Sequence, residues 1–224
     1  VTMEMVKVPG GTLNGKPVAS FWIGKHEVTN QQMRRFLPTH DSRDESRHGY
    51  QFGRRGYDMN GNNQPAVRVS WTDAQAFTRW LESRLSTRVT LPSGRQWEWA
   101  CRAGSTSVFP FGPVDADYST FANLGDRRLK EFAACTASAN YSAAEVIANP
   151  GPADDRIPRD DRFDDGGFVT TEVGHYKPNG WGVHDMIGNA WEWTSDTTGD
   201  GECIARGGSW FDRPEMATVP SRVI

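Results

Sequence analysis

Three stretches of the chain place apolar residues three or four positions apart, and each stretch begins with a polar capping pair. This pattern predicts three amphipathic helices with capping boxes at their starts. The capping pairs are Thr29 with Gln32, Ser70 with Asp73, and Ser93 with Gln96. The residues expected to face inward are Met33, Phe36 and Leu37, then Ala74, Phe77, Trp80, Leu81 and Leu85, then Trp97, Ala100 and Cys101. Pro38 and Gly104 are expected to end the first and third helices.

Short segments around the helices are candidate strands, at 3–8, 21–28, 66–69 and 204–207. Gly188 and Asn189 indicate a turn, because both tolerate backbone conformations that other residues resist. In the extended segment that follows, Trp191 and Trp193 share one face and Glu192 points the opposite way. The sequence shows neither an internal repeat nor alternating strands and helices, so we predict an α+β fold with much irregular structure.

Composition limits the size and the partners of the protein. We predict a single domain over residues 1–224, with an insertion at roughly 127–163 where the periodicity fades. The net charge of −3 argues against nucleic acid as a partner. No apolar run approaches the ~20 residues of a membrane span. The three cysteines, Cys101, Cys135 and Cys203, lack the spacing of a metal site.

Six ordered motifs between about residues 8 and 212 resemble the formylglycine-generating-enzyme-like (sulfatase-modifying-factor) family. They read VPGGTL, IGKHEVTNQQMRRFL, AVRVSWTDAQAFTRWL, LPSGRQWEWACRAG, NGWGVHDMIGNAWEWTSD and ARGGSWFD. The resemblance implies a compact, loop-rich α+β fold related to C-type lectin domains.

The resemblance also implies two structural calcium sites, which suit clusters of oxygen ligands from turns and carboxylates. The first would use the side chains of Asp185 and Glu192 and the carbonyls of Gly188 and Ala190. The second would use Asn123, Leu124, Asp165 and the carbonyl of Phe168. An alternative for Glu192 is that it only caps backbone amides, with no metal.

In the best-known branch of the family, two cysteines that follow the Gly-Gly-Ser stretch bind copper(I) and activate oxygen. The matching positions, three and eight residues after Ser209, are Asp212 and Ala217. We therefore expect no copper, because soft thiolates are the ligands that copper(I) requires. The chain also lacks the His-x-x-x-His-x-Glu pattern of the iron-dependent branch that joins sulfur to histidine derivatives.

Several residues near the former thiol positions are candidates for chemistry. The catalytic candidates are Asp212, Glu215, Arg213, His175 and His184, since a carboxylate or imidazole can accept a proton. Trp210, Trp181 and Tyr176 are candidates for an aromatic wall that binds substrate. The alternatives are that Asp212 and Arg213 form a surface ion pair and that the tryptophans belong to the core.

The stretches around 159–186 and 206–218 are similar to a cysteine-free branch that helps to form the chromophore of the siderophore pyoverdine. This resemblance implies a periplasmic or secreted protein that oxidises a dihydro-chromophore on a peptide, although no flavin or nicotinamide motif identifies the electron acceptor. The competing interpretation is a non-catalytic module that binds a ligand or peptide on a lectin-related fold.

Overall fold

The computed structural model describes residues 2–43, 57–129 and 159–224. The helices are α1 (Asn30–Phe36), α2 (Trp71–Leu85) and α3 (Gly94–Arg102). The strands are β1 (Met5–Val8), β2 (Gly11–Leu13), β3 (Lys16–Val18), β4 (Phe21–Gly24), β5 (Glu192–Thr197) and β6 (Cys203–Arg206). Two short 3-10 helices cover Arg127–Leu129 and Pro214–Met216. This mixture of helices and small sheets confirms the predicted α+β class.

Each predicted helix begins where its capping pair places it. Thr29, Ser70 and Ser93 all accept from the backbone of the third helical residue, whose side chain returns the bond. One inward assignment is wrong, because Leu85 is 53% exposed at the end of α2. The turn after Leu85 is left-handed at Ser86, which directs the chain away from the core that Phe77 and Leu81 enter.

The strands form three separate antiparallel pairs, β1 with β4, β2 with β3, and β5 with β6. Predicted strands at 3–8, 21–28 and 204–207 contain or overlap β1, β4 and β6. The segment 66–69 is not a strand, because Arg68 has a φ of 58° and interrupts the extended backbone. Sequence reasoning missed the β2–β3 hairpin, although its turn residues Asn14 and Gly15 are a strong hairpin signal.

The largest core cluster joins the N-terminal sheet, helix α3 and the loops that precede β5. Its fully enclosed side chains include Val8, Trp97, Phe109, Tyr118 and Val219. Much of the predicted insertion, residues 130–158, lies outside the described part of the chain, as does Cys135. Among the described residues, no helix is both long enough and apolar enough to cross a membrane.

The loop before β5 depends on left-handed backbone at Asp185, Gly188 and Asn189, whose φ values are 56°, 78° and 60°. Gly188 lies directly against the backbone of Asn123, with which it forms an isolated parallel bridge. A Cβ at Gly188 would overlap the carbonyl oxygen of Asn123. The predicted turn at Gly188 and Asn189 is therefore present, and it brings two distant loops into contact.

Replacing Gly188 with Ala is expected to destabilise the fold by at least about 2 kcal/mol, since strain at positive φ adds to the overlap with Asn123. Urea unfolding in calcium-free buffer measures this effect without any contribution from metal binding. Gly199→Ala is the matched control, because no atom lies within 4 Å of a Cβ at that position. Equal stability of the two variants would contradict the close approach.

Candidate functional site

Three carboxylates from separate parts of the chain lie close enough to influence one another. Glu27 follows β4, Asp185 lies in the left-handed turn before Gly188, and Glu192 is the first residue of β5. Asp185 is buried, whereas Glu27 and Glu192 keep a small exposed fraction. The structure therefore brings the predicted ligands Asp185 and Glu192 together with Glu27, which the sequence analysis did not include.

The hydrogen bonds of this cluster leave one carboxylate oxygen without a donor. Asp185 Oδ2 accepts from the Gly174 amide at 2.6 Å, but the buried Oδ1 has no hydrogen-bond partner. Glu192 Oε2 accepts from the indole nitrogen of Trp97 at 2.8 Å. The metal-free alternative requires backbone amides as donors to Glu192. The donor to Glu192 Oε2 is instead a side chain, the Trp97 indole. A buried oxygen without a donor is costly, and a cation at this position would remove the cost.

The pKa shifts of the three carboxylates also favour a bound cation. Burial, together with the charge of Asp185, raises the pKa of Glu192 to about 7. Burial, followed by the charges of Asp185 and Glu192, raises the pKa of Glu27 well above its usual value. Burial also raises the pKa of Asp185. A calcium ion would offset this mutual repulsion, so the donor set fits the ion.

Side chains alone do not complete a metal site in this part of the molecule. In the ranges that the structure describes, no group of three or more His, Cys, Asp or Glu side chains is arranged to hold a metal ion by itself. Carbonyl oxygens, such as those predicted at Gly188 and Ala190, would have to supply further ligands. Calcium accepts such mixed sets readily.

Glu27 could have been found from the sequence. It is an acid near the end of the candidate strand 21–28, two residues before the capping residue Thr29. In the structure, Glu27 Oε2 accepts from Asn189 Nδ2 at 2.7 Å and Oε1 accepts from the Ala190 amide at 3.1 Å. The carboxylate therefore holds the turn that presents the predicted carbonyl ligands.

The residues predicted for the second calcium site also come from distant segments that meet in the fold. The Leu124 amide donates to Asp165 Oδ2 at 2.7 Å, and Asn123 Nδ2 donates to the Val169 carbonyl at 2.8 Å. A Cβ at Gly167 would lie 2.6 Å from Asn123 Oδ1 and 3.0 Å from Asp165 Oδ1, so only glycine leaves this space open. Burial and the nearby charge of Asp126 raise the pKa of Asp165 to about 7. Phe168 is adjacent along the chain, and its ring packs against Tyr57.

The catalytic candidates near the C-terminus differ in how they are held. Asp212 Oδ2 accepts from both the amide and the hydroxyl of Ser209, at 2.9 and 2.6 Å. No ion pair between Asp212 and Arg213 occurs in the described structure, so the surface-pair alternative is not supported. Arg213 and Glu215 are exposed, and Glu215 lies in the second 3-10 helix.

The three aromatic candidates do not form a common wall. Trp210 is only 9% exposed and packs in a cluster with Met59, Leu129 and Val169. Trp181 packs instead against the main core cluster, with its ring 5.2 Å from that of Trp99. Tyr176 is 4% exposed, and its hydroxyl donates to Asp165. Packing therefore largely encloses Trp210 and Tyr176, whereas Trp181 stays partly exposed.

The two candidate histidines have different surroundings. His175 is exposed, with its ring edge toward Tyr176. The Nδ1 atom of His184 lies 2.8 Å from the Tyr176 carbonyl, and its ring centroid lies 4.9 Å from that of His26. Since the carbonyl can only accept, Nδ1 of His184 is the donor of this hydrogen bond. His184 is therefore oriented by the backbone, and His26 is a neighbour that the sequence analysis missed.

Comparison with known proteins identifies the family to which the chain belongs. The model of the sulfatase-modifying factor enzyme 1-like (FGE-sulfatase) domain matches residues 2–223, which is almost the whole chain. The chain belongs to the formylglycine-generating-enzyme family.

Curated members of the formylglycine-generating-enzyme family are longer than this chain. The formylglycine-generating enzyme of Mus musculus is 29% identical over 140 residues, which are 62% of this chain and 28% of that protein. The inactive C-alpha-formylglycine-generating enzyme 2 of Mus musculus is 29% identical over 153 residues, which are 66% of this chain and 38% of that protein. The chain thus matches only about a third of the length of these relatives.

A solved structure covers the chain more completely. The structure of PvdO from Pseudomonas aeruginosa superposes with a TM-score of 0.65 over 98% of this chain and 87% of its own, at 22% sequence identity. The fold is therefore shared along almost the whole length, and this likeness confirms the predicted formylglycine-generating-enzyme-like α+β fold.

The positions that correspond to the family's copper thiols are structurally unlike each other. Asp212 is half-buried and bonded to Ser209, whereas Ala217 is completely enclosed. A Cβ at Gly208 would overlap the Cβ of Ala217, so the two backbones are in direct contact. In this family member, the loop is closed at the second thiol position by packing.

Glu192→Gln tests the electrostatic strain in the carboxylate cluster. Because the folded state raises the pKa of Glu192 from 4.5 to about 7, it holds a proton more tightly than the unfolded chain does. The unfolding free energy of the calcium-free protein should therefore fall as the pH rises through this window, by up to about 3 kcal/mol from this group.

Gln keeps an acceptor for the Trp97 indole but does not titrate, so the variant should lose that part of the decline in urea unfolding at a series of pH values. Glu202→Gln, at an exposed position, is the control and should follow the wild type. An identical pH profile for Glu192→Gln and the wild type would contradict the assigned pKa.

Ala217→Cys should cost about 1–3 kcal/mol, because a sulfur atom must enter a fully packed position. Met216→Cys adds the same thiol at a residue that is 53% exposed, and should be nearly neutral.

We further expect the Asp212→Cys/Ala217→Cys double variant not to bind copper(I) tightly, as measured by competition with a copper(I) chelator. Tight binding by the pair, without loss of stability, would show that the loop still fits the metal.

Proposed function

We propose that this protein is a calcium-stabilised, copper-independent member of its family that takes part in the oxidative maturation of an aromatic siderophore chromophore, as in pyoverdine biosynthesis. The observation that carries the proposal is the loop after Ser209, where Asp212 and a fully enclosed Ala217 occupy the positions of the copper-binding thiols. Conversion of a sulfatase cysteine to formylglycine by copper chemistry is excluded from the proposal on the same ground.

The calcium part of the proposal rests on the carboxylate cluster. Asp185 and Glu192 would bind the ion together with the carbonyls of Gly188 and Ala190, and Glu27 would hold their turn in place. Asn123, Leu124, Asp165 and Phe168 would form the second site. Bound calcium would stabilise the fold. The chemistry is placed on other residues, because Asp185 is buried and Glu192 accepts from the buried Trp97.

The siderophore part is supported by the similarity of the stretches 159–186 and 206–218 to the cysteine-free branch, and by the fold shared with PvdO. A chromophore attached to a flexible peptide needs a surface that one end of the ligand can reach. The exposed Arg213 and Glu215 and the half-buried Asp212 lie on one short segment that meets this requirement. We place proton removal at Asp212 or Glu215, with His175 and His184 as the second choice.

Oxidation of the dihydro-chromophore removes two hydrogen atoms, so an electron acceptor must take part. Molecular oxygen or a separate redox partner would supply this role, and we assign none of the described residues to it. In keeping with the siderophore proposal, we place the protein in the periplasm or outside the cell.

A non-catalytic binding module is the second candidate. The hydrogen bonds from Ser209 to Asp212 favour it, because they occupy one carboxylate oxygen of the strongest catalytic candidate. The burial of Trp210 and Tyr176 also removes two rings that were expected to stack on the substrate. In this case the same segment would bind a peptide or siderophore-like ligand without converting it.

Asp212→Asn and Glu215→Gln distinguish the two candidates when each is mixed with purified dihydro-pyoverdine under air. For an enzyme, one variant should lose at least about a hundredfold in the rate of chromophore absorbance change, because a general base contributes 10²–10⁴-fold. Binding, measured by tryptophan fluorescence, and melting temperature should change little in that variant.

Glu202→Gln, at an exposed position outside the loop from Ser209 to Ala217, should retain the wild-type rate. Tight binding by the wild type without turnover would favour the binding module, and no binding would refute the proposed ligand class. Normal turnover by both variants would move the acid–base role to His175 or His184.

A further inference from the structure

A continuous chain of hydrogen bonds joins the two candidate calcium sites. Glu27 Oε2, in the first site, accepts from Asn189 Nδ2 at 2.7 Å. Asn189 Oδ1 in turn accepts from Asn123 Nδ2 at 3.1 Å. Asn123 belongs to the second site, so two side-chain amides span the distance between the sites. We call this pair, Asn189 and Asn123, the amide bridge.

The backbone reinforces the amide bridge. The Asn189 amide donates to the Asn123 carbonyl at 2.8 Å, and the Ala190 amide donates to Glu27 Oε1 at 3.1 Å. Asn189 also lies between Gly188 and Ala190, whose carbonyls are the proposed ligands of the first site. A change in the position of this turn must therefore move the backbone at Asn123.

The orientation of one side-chain amide in the bridge fixes the orientation of the next. One end of the group only donates and the other end only accepts, so fixing one end fixes the other. Glu27 requires a donor, which turns the Asn189 nitrogen toward it and the Asn189 oxygen toward Asn123. Asn123 must then present its nitrogen to Asn189, which leaves its oxygen facing the space at Gly167 beside Asp165.

Burial makes the orientation of the amide bridge close to all-or-none. Asn123 and Asn189 are each only 1% exposed, so water cannot replace a bond that a flipped amide would lose. Thr171 adds to the penalty, because its amide donates to Asn189 Oδ1 at 2.9 Å. A buried network of this kind is stable when every member is satisfied and costly otherwise.

From these contacts we infer that the amide bridge couples the two sites, so that calcium bound at either site strengthens binding at the other. The inference rests on the calcium part of the proposed function and adds positive cooperativity to it. An ion in the first site would order Glu27 and the turn, and the bridge would then direct the Asn123 oxygen into the second site. Linkage requires that the effect be equal in both directions.

Calorimetric titration of calcium into metal-stripped protein tests the coupling as a thermodynamic cycle. Asp165→Asn disables the second site and is expected to weaken binding at the first site at least fivefold, the lower end of typical couplings. Asn189→Gly cuts the bridge while suiting the left-handed backbone at this position. In the Asn189→Gly background, Asp165→Asn should change first-site affinity less than twofold.

Asn30→Ala is the matched control, because Asn30 is also fully buried and donates to two carbonyls, those of Met59 and Gly61. It should destabilise the protein but retain the fivefold coupling. If Asn189→Gly proves unfolded by circular dichroism, Asn189→Asp replaces it, since Asp tolerates the same left-handed backbone and lacks the amide nitrogen that donates to Glu27.

The outcomes separate this inference from the proposed function. Two ions per chain with no coupling, or equal loss of coupling in Asn30→Ala, would refute the bridge and leave the calcium proposal intact. A single ion per chain would also refute the bridge. Binding of no calcium would refute both, whereas the siderophore proposal is tested by its own absorbance assay.

Discussion

The side-chain amide of Asn189 is the point at which the separate segments of this protein meet. It bonds to Glu27 after β4, to Asn123 in a central loop and to Thr171 in the segment before the turn. The described strands occur only in pairs, so no extended sheet aligns these segments. A fold with so little regular structure needs buried polar side chains to satisfy the backbone of its loops. Asn189 and its partners meet that need, and the fold depends on them.

The same requirement explains why carboxylates lie inside the molecule. Asp165 accepts from the Leu124 and Gly167 amides, and Asp126 accepts from the amides of Asp165 and Arg128. These bonds satisfy loop amides, but burial still raises the pKa of both acids. The cluster of Glu27, Asp185 and Glu192 goes further, because it leaves an oxygen of Asp185 without a donor. Stabilising loops with buried acids thus creates the charge that a bound cation would balance.

The C-terminal loop from Ser209 to Ala217 contacts the buried network through its backbone. The Trp210 amide donates to the Asn189 carbonyl at 3.2 Å, and the Gly125 amide donates to the Asp212 carbonyl at 2.9 Å. Within the loop, Asp212 accepts from Ser209 and Ala217 packs against Gly208. An exchange of side chains in this loop can leave these backbone bonds in place, and the fold shared with PvdO at 22% identity shows that the architecture tolerates extensive substitution.

The amino-acid sequence by itself determined the three helices, because a capping box and an apolar stripe are local features that need no distant partner. It also determined the left-handed turn at Gly188 and Asn189, and ordered motifs indicated the family and named Asp185 and Glu192 as candidate ligands. Only the tertiary structure decided that Glu27 joins those acids and that Asn189 faces Asn123, since these contacts link residues far apart in the chain. The burial of Trp210 and Tyr176 was likewise decided by packing, because a sequence does not distinguish an aromatic ring that lines a cleft from one that fills a core.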